Sequence, residues 1–268
     1  GLEVDKLNPA HVQRYIDRYL DRFEKALGRD LIGRRGLQSL LVDSWEAGAQ
    51  NWTENLPAEF KARRGYDMTP WLPVLTGRMV ESASESDKFL WDFRRTLQDL
   101  LAEHYRTLAE GARARGLHIY SEAQGDTWRA LGDGMEMKRH ADIPTAEYWF
   151  RTFAAGPGQP TLKADMKEAV SVANVYGKPF AAAESLTVFA PKEPWGFSPA
   201  KLKPVIDEIF AYGINRILIH TSVHQPLMDK APGLTLGPFG QYFNRNETWA
   251  GQAGPFVDYV ARSSHLLQ

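Results

Sequence analysis

A unit that recurs along the chain constrains the fold more than any other feature: a short apolar stretch, a polar loop, an amphipathic helix and a glycine. Apolar stretches of this kind lie near 38–43, 117–121, 180–184 and 215–220, and a weaker one covers 142–147. They do not alternate between apolar and polar residues, which is typical of strands buried on both faces. Alternation of such strands with helices predicts a parallel sheet.

Helical periodicity fills the intervals between these strands. In the first helix, Val12, Ile16 and Leu20 recur at helical spacing, and Asn8 and Pro9 suit its first turn. The predicted helices cover 9–27, 88–115, 163–176, 198–212 and 255–267, with a short one near 57–64. Glycines follow four of them, at Gly28, Gly116, Gly177 and Gly213.

Each clear strand is followed by a polar, reactive side chain: Glu46, Glu122, Glu184 and His220. Catalytic groups of (β/α)8 barrels lie at the carboxyl ends of the strands and on the loops that follow. A doubly wound sheet would instead place one site at a switch point, and the sequence contains no glycine-rich phosphate loop. We therefore predict an α/β chain of the TIM-type (β/α)8 barrel class.

The number of strands indicates only part of such a barrel. About five βα units are visible in the sequence, whereas a closed barrel has eight. We expect residues 1–268 to form a single region, the C-terminal portion of a catalytic barrel whose first strands and further domains belong to a longer protein. The array should be open and depend on the upstream strands, because unpaired strand edges expose backbone and apolar side chains.

Composition excludes several classes of function. The net charge is -1, which does not suit a polycationic nucleic-acid binder, and Cys is absent, which excludes thiolate metal sites and cysteine nucleophiles. We expect no membrane span, since there is no apolar run of about 18 residues. Aromatic residues make up 12% of the chain, as suits either stacking on sugar rings or an ordinary core.

The strand-end glutamates favour glycoside hydrolysis, which requires one carboxyl group to protonate the leaving oxygen and another to activate water or attack carbon. A single glutamate would more often cap a helix or pair with a surface arginine. Three at equivalent positions, Glu46, Glu122 and Glu184, favour a functional role.

Aromatic and polar residues in the same loops are candidate sugar contacts or simple loop packing. The aromatic candidates are Trp52, Trp128, Tyr148, Trp149 and Trp195. His220 and His224 could bind sugar hydroxyls or a metal, although two histidines without a third ligand are a weak metal signal. Residues 243–249 are rich in hydrogen-bonding groups.

Together these segments resemble glycoside hydrolase family 106, the α-L-rhamnosidases. The similarity follows the chain in order and includes Asp43-Ser-Trp-Glu-Ala-Gly-Ala-Gln-Asn-Trp52. The other segments that carry it are 60–67, 89–95, 120–123, 176–179, 183–185, 213–216, 220–226 and 243–246.

The resemblance implies hydrolysis of terminal α-L-rhamnosides with inversion, assisted by calcium. By position, Glu46 would be the general acid, Glu184 the general base, and Glu122 and Glu147 the calcium ligands. A rhamnose-containing oligosaccharide or glycoside would be the substrate. Its contacts are assigned to Asp43, Trp45, Trp52, His220, His224, Asn244 and Arg245.

Two other interpretations remain open at this point. The chain could be a non-catalytic carbohydrate-binding barrel or a truncated piece that has no activity of its own. It could also belong to a retaining glycosidase, in which the two carboxyl groups would lie only about 5–5.5 Å apart.

Overall fold

The computed structural model describes residues 3–123, 132–150, 160–189 and 194–268. These residues form two compact units. The first comprises 3–119 and 132–142, and the second comprises 120–123, 143–150, 160–189 and 194–268.

The first unit is mainly helical. Its elements are α1 (Pro9–Leu27), β1 (Ser39–Val42), α2 (Leu56–Arg64), α3 (Ala83–Arg113), the start of β2 (His118–Ser121) and α4 (Gly134–Lys138), with 3-10 helices at Arg29–Leu31 and Thr69–Thr76. Asn8 caps α1, because its side-chain oxygen accepts a hydrogen bond from the N–H of Ala10 at 3.1 Å. The chain leaves α1 at Gly28, whose φ of 85° is accessible to glycine without strain.

Helix α1 packs against α3 around a close contact between Ile16 and Gly111. Both helices contribute to one apolar cluster, with Val12 and Leu20 from α1 and Leu108 from α3. A Cβ atom at Gly111 would lie 2.7 Å from Cγ2 of Ile16. The crossing therefore depends on the missing side chain at this glycine.

The second unit alternates strands and helices. Its elements are the end of β2, β3 (Ile143–Tyr148), α5 (Pro160–Val175), β4 (Ala182–Ser185), β5 (Val188–Phe189), α6 (Pro199–Ala211), β6 (Arg216–Ile219), β7 (Phe239–Gly240) and α7 (Gly254–Leu266), with a 3-10 helix at Ala250–Gln252. Its apolar core joins side chains of β3 and β4 to those of α5, α6 and α7.

The strands of the main sheet are hydrogen-bonded in the order β1-β2-β3-β4-β6, and the resolved registers are parallel. Neighbours in this sheet follow one another along the chain. Such an order is that of a (β/α)8 barrel, whereas a doubly wound sheet reverses direction at a switch point. The predicted fold class, an α/β chain of the barrel type represented by about five βα units, is confirmed.

Strand register places Glu147 and Glu184 on the same face of the sheet. Their Cα atoms are direct partners in the β3–β4 ladder, and side chains in register on parallel neighbours point the same way. The alternating residues Ala146, Tyr148 and Ala183 belong to the core formed with the helices. The two glutamates therefore point to the face opposite the helices.

Five predicted strands coincide with the observed ones, including the weaker one, which is β3 at 143–148. Helix α3 begins five residues earlier than the apolar periodicity predicts, at Ala83 rather than 88. The reason is a polar first turn, in which Ser82 Oγ accepts a hydrogen bond from the N–H of Glu85 at 3.2 Å. The antiparallel pair of strands β5 and β7 and the helix α4 were not predicted. Within the described ranges, no helix is long and apolar enough to cross a membrane.

Candidate active site

The carboxylate of Glu184 is the best-defined functional group of the second unit. Glu184 lies one residue before the end of β4, and 16% of its side chain is exposed. Its Oε1 accepts hydrogen bonds from Trp149 Nε1 at 3.2 Å and from Thr187 Oγ1 at 3.0 Å. Two donors on one oxygen fix the plane of the carboxylate and direct Oε2 away from them.

His220 lies beside this carboxylate, directly after β6. Its Nδ1 is 2.9 Å from Thr187 Oγ1 and 3.9 Å from Glu184 Oε1. The imidazole is 28% exposed, so the ring is anchored on one side and accessible on the other. The predicted strand-end residues Glu184 and His220 are thus brought together, with Thr187 between them.

Two further glutamates, Glu122 and Glu147, belong to the same part of the second unit as Glu184. Glu122 follows β2 and is 1% exposed, and one of its carboxylate oxygens lies within 4.8 Å of one from Glu184. Glu147 is 6% exposed and shares its register position with Glu184. The carboxylates of Glu122 and Glu184 are close enough to repel one another unless a cation or a proton balances their charge. Their hard oxygen atoms suit calcium.

In the first unit, Glu46 lies on the exposed loop that follows β1. Ser44 Oγ donates a hydrogen bond to Glu46 Oε1 at 3.3 Å, and Ser44 N donates to Asp43 Oδ1 at 2.8 Å. Both carboxylates line a cavity of about 370 Å³. The general acid that we predict is therefore accessible, as proton donation to a leaving group requires.

The two tryptophans near Glu46 differ in their surroundings. Trp45 is only 5% exposed, and its indole N–H donates to the carbonyl oxygen of Gly48 at 2.7 Å. This bond closes the turn that carries Glu46. Trp52 is 50% exposed, so its ring is available as a surface platform.

His104 of α3 lines the same cavity and was not singled out in the sequence. Its ring packs edge-on against Trp45, with centroids 5.8 Å apart. The side chain is 6% exposed, and Nδ1 has no hydrogen-bond partner among the described residues. Burial, assisted by the charge of Lys6, lowers the pKa of His104 to about 3. The imidazole is therefore neutral at ordinary pH.

Three predicted sugar contacts of the second unit line one cavity of about 400 Å³: His224, Asn244 and Arg245. Asn244 Oδ1 accepts from the N–H of Asn246 at 2.8 Å, while its buried Nδ2 has no partner in the described part of the chain. The oxygen of this amide is thus held in place, and its nitrogen is available to donate a hydrogen bond to a ligand.

The guanidinium of Arg245 has a different role. It donates to the carbonyl oxygens of Gln225 at 2.9 Å and Leu227 at 2.7 Å. These bonds tie together the loop that forms the cavity wall.

The aromatic candidates separate in the structure. Trp149 binds Glu184, Trp195 packs on Tyr242 with ring centroids 4.7 Å apart, and Trp128 lies outside the described residues. Thr187, which contacts both Glu184 and His220, carried no recognisable sequence signal. Only its position three residues after Glu184 could have suggested it.

Comparison with known proteins shows the family to which the chain belongs. The family model of the α-L-rhamnosidases of glycoside hydrolase family 106 matches residues 1–268. The solved structure of a rhamnosidase from Novosphingobium sp. PP1Y is 52% identical over 100% of this chain, with a TM-score of 0.93. The chain belongs to glycoside hydrolase family 106.

A second relative bears a different name. It is a protein of Formosa agariphila that carries the provisional name beta-glucuronidase, and it is 39% identical over 272 residues and 100% of this chain. This family 106 chain spans 22% of the Formosa protein and 25% of the Novosphingobium chain.

Proposed function

We propose that the chain is part of the catalytic domain of an α-L-rhamnosidase that hydrolyses terminal α-L-rhamnosides with inversion. The observation that carries this proposal is the carboxylate of Glu184, which two protein donors hold at the end of a parallel strand. We infer that the sugar is rhamnose from the family to which the chain belongs.

Glu184 acts as the general base in this proposal. Trp149 and Thr187 occupy Oε1, which leaves Oε2 to accept a proton from water. As the proton moves to Oε2, the water oxygen bonds to the anomeric carbon from the face opposite the leaving group. The bond between the anomeric carbon and the glycosidic oxygen breaks in the same step.

Glu46 acts as the general acid and gives its proton to the departing oxygen. Its exposure and the adjacent cavity allow a leaving group to approach. An inverting pair must accommodate a water molecule, which calls for carboxyl groups roughly 6.5–9.5 Å apart. The Glu46 proton restores a neutral alcohol, and Glu184 ends the step protonated.

Glu122 and Glu147 are the residues that would hold the calcium that the family implies. Both are buried; an oxygen of Glu122 lies within 4.8 Å of one from Glu184, and Glu147 shares the strand register of Glu184. A hard cation held there would supply a partner for the vicinal hydroxyls O2 and O3 of rhamnose. The protein's own part is to fix its oxygen ligands on neighbouring strands, so that the bound sugar has one orientation.

The chemistry of the second unit favours a neutral sugar over a uronic acid. Two acidic groups, Glu122 and Glu147, accompany Glu184 on its face and would repel the carboxylate of a glucuronide. The cation of Arg216 lies on the same face, two residues before the register partner of Glu184, and its guanidinium donates to the hydroxyl group of Tyr120 at 2.6 Å. The guanidinium of Arg245 is already committed to backbone carbonyls. This argues for the rhamnoside and against the activity in the Formosa relative's name.

The test uses the full-length protein and two chromogenic substrates, an aryl α-L-rhamnoside and an aryl β-D-glucuronide. We expect turnover of the rhamnoside, loss of that turnover in Glu184→Gln, and partial recovery with added azide, which replaces the activated water. Turnover of the glucuronide alone would reject the rhamnosidase. Sugar binding by calorimetry without turnover would instead support a non-catalytic carbohydrate-binding protein.

A further inference from the structure

We propose that Thr187 is a positioning residue: its hydroxyl group accepts a hydrogen bond from His220, donates one to Glu184 and so holds the base in its working orientation. We call these two hydrogen bonds the relay. This inference rests on the proposed role of Glu184. Thr187 is fully buried, and its single hydroxyl oxygen lies 3.0 Å from Glu184 Oε1 and 2.9 Å from His220 Nδ1. No other described hydroxyl group touches both side chains.

The direction of the two bonds follows from counting protons. A threonine hydroxyl has one proton to donate, and an ionised carboxylate can only accept. The proton of Thr187 therefore goes to Glu184, and the hydroxyl oxygen accepts the Nδ1–H of His220. This assigns a proton to Nδ1 of His220 and orders three side chains in one chain of hydrogen bonds.

The backbone brings Thr187 back onto Glu184 by an uncommon conformation. Leu186, between them, has a φ of 73°, in the left-handed region that a side chain such as leucine rarely adopts. Its side chain is nevertheless fully buried. Conformations of this kind cost energy and persist where the surroundings enforce them, commonly at functional sites.

Backbone bonds on both sides of the turn keep the chain in place. The N–H of Phe150 donates to the carbonyl oxygen of Thr187 at 2.7 Å, and the N–H of His220 donates to that of Ser185 at 3.0 Å. Val188, the next residue, pairs with Gly240 in the β5–β7 ladder. The two hydrogen bonds of the relay are therefore built on strand ends and on the β5–β7 pair, which can hold a hydroxyl group to within a fraction of an ångström.

For the reaction, this means that Oε1 of Glu184 is occupied by two hydrogen bonds and that Oε2 is the proton acceptor. Without the Thr187 hydroxyl, Trp149 would hold Oε1 alone and the carboxylate could rotate about its last bond. Binding of the sugar does not require that orientation, whereas proton transfer from water does. Loss of the hydroxyl should thus lower kcat and leave KM largely unchanged.

The experiment compares Thr187→Val, which removes the hydroxyl at nearly constant shape, with Thr187→Ser, which keeps it. In the full-length protein, we expect kcat of Thr187→Val on an aryl α-L-rhamnoside to fall about 10- to 100-fold, with KM within about twofold. Thr187→Ser should stay within about threefold of the parent. Thr145→Val is the matched control, because Thr145 is also fully buried but donates only to the carbonyl oxygen of Ile143.

A double-mutant cycle tests the link to His220. If His220 acts through Thr187, the losses in Thr187→Val and His220→Phe should combine to less than their product. Independent, multiplicative losses would overturn the relay, as would full activity in Thr187→Val or equal loss in the serine and valine variants.

Glu184→Gln in the same assay separates the two proposals. An active Glu184→Gln rejects the base itself, whereas an inactive Glu184→Gln with an active Thr187→Val rejects only the relay. Should Thr187→Val fail to fold, as judged by circular dichroism, Thr187→Ser and the His220→Phe variant decide. If Thr187→Ser is then as inactive as His220→Phe, the result counts against the relay. If Thr187→Ser keeps nearly the activity of the parent while His220→Phe loses it, the result counts for the relay.

Discussion

Replacement of His104 by phenylalanine should make the stability of the chain less sensitive to acid. In the folded state, burial lowers the pKa of His104 from 6.5 to about 3. When the chain unfolds, the imidazole regains its ordinary pKa and takes up a proton at mildly acidic pH. The unfolded state then binds more protons than the native state, so stability falls as the pH decreases.

The pH window follows from these two values. Above pH 6.5 the histidine is neutral in both states and contributes no pH dependence. Between pH 6.5 and about 3 only the unfolded state is protonated. Each unit of pH costs about 1.4 kcal/mol in this window. The change from pH 7.5 to pH 5.0 should therefore cost about 2 kcal/mol through this one side chain.

Urea unfolding at pH 7.5 and pH 5.0, followed by circular dichroism, measures the effect. Other groups also titrate, so the relevant quantity is the acid-induced loss of stability in the parent minus that in His104→Phe. The variant keeps an aromatic ring against Trp45. His118, an exposed histidine of the same unit, provides the control variant His118→Gln. An acid-induced loss that is the same in His104→Phe as in the parent would refute the reasoning.

The remaining predictions concern packing, a buried amide and the metal. Gly111→Ala should lower the free energy of unfolding by about 1–3 kcal/mol, because its Cβ would lie 2.7 Å from Ile16 Cγ2, and urea unfolding measures it. Asn215→Ala should cost about 1–3 kcal/mol in the same assay, since the amide bridges Ala181 N and the carbonyl oxygen of Pro179 at 2.9 Å each. Chelation with EGTA should abolish turnover of the full-length protein and calcium should restore it. Unchanged turnover, with no calcium detected by elemental analysis, would contradict the metal proposal.

The main strands and helices could be predicted because each has a strong local signal. The interior-facing strands are short apolar runs, and α1 has a capping residue, a buried stripe and a terminal glycine. Even β3, whose sequence Ile-Pro-Thr-Ala-Glu-Tyr is weakly apolar, lies where the alternation of strands and helices requires a strand. Parallel pairing then places Glu184 and His220 at strand ends without further information.

The contacts that define the site could not be predicted in the same way. The strands β5 and β7 have two residues each, too few for any periodicity, and they pair across about fifty residues of chain. The β5–β7 pair and the left-handed Leu186 bring Thr187 to Glu184, so this chain of hydrogen bonds depends on tertiary structure. His104 lies on a predicted helix face, but its position on α3 does not reveal that Trp45 packs against it.

The stereochemistry of the product tests the central claim most directly. Proton NMR during the first minutes of hydrolysis of an aryl α-L-rhamnoside by the full-length protein identifies the anomer that forms before mutarotation. If Glu184 activates water, β-L-rhamnose appears first and the α-anomer grows in later. If α-L-rhamnose appears first, Glu184 is not the general base of an inverting enzyme and the account is contradicted.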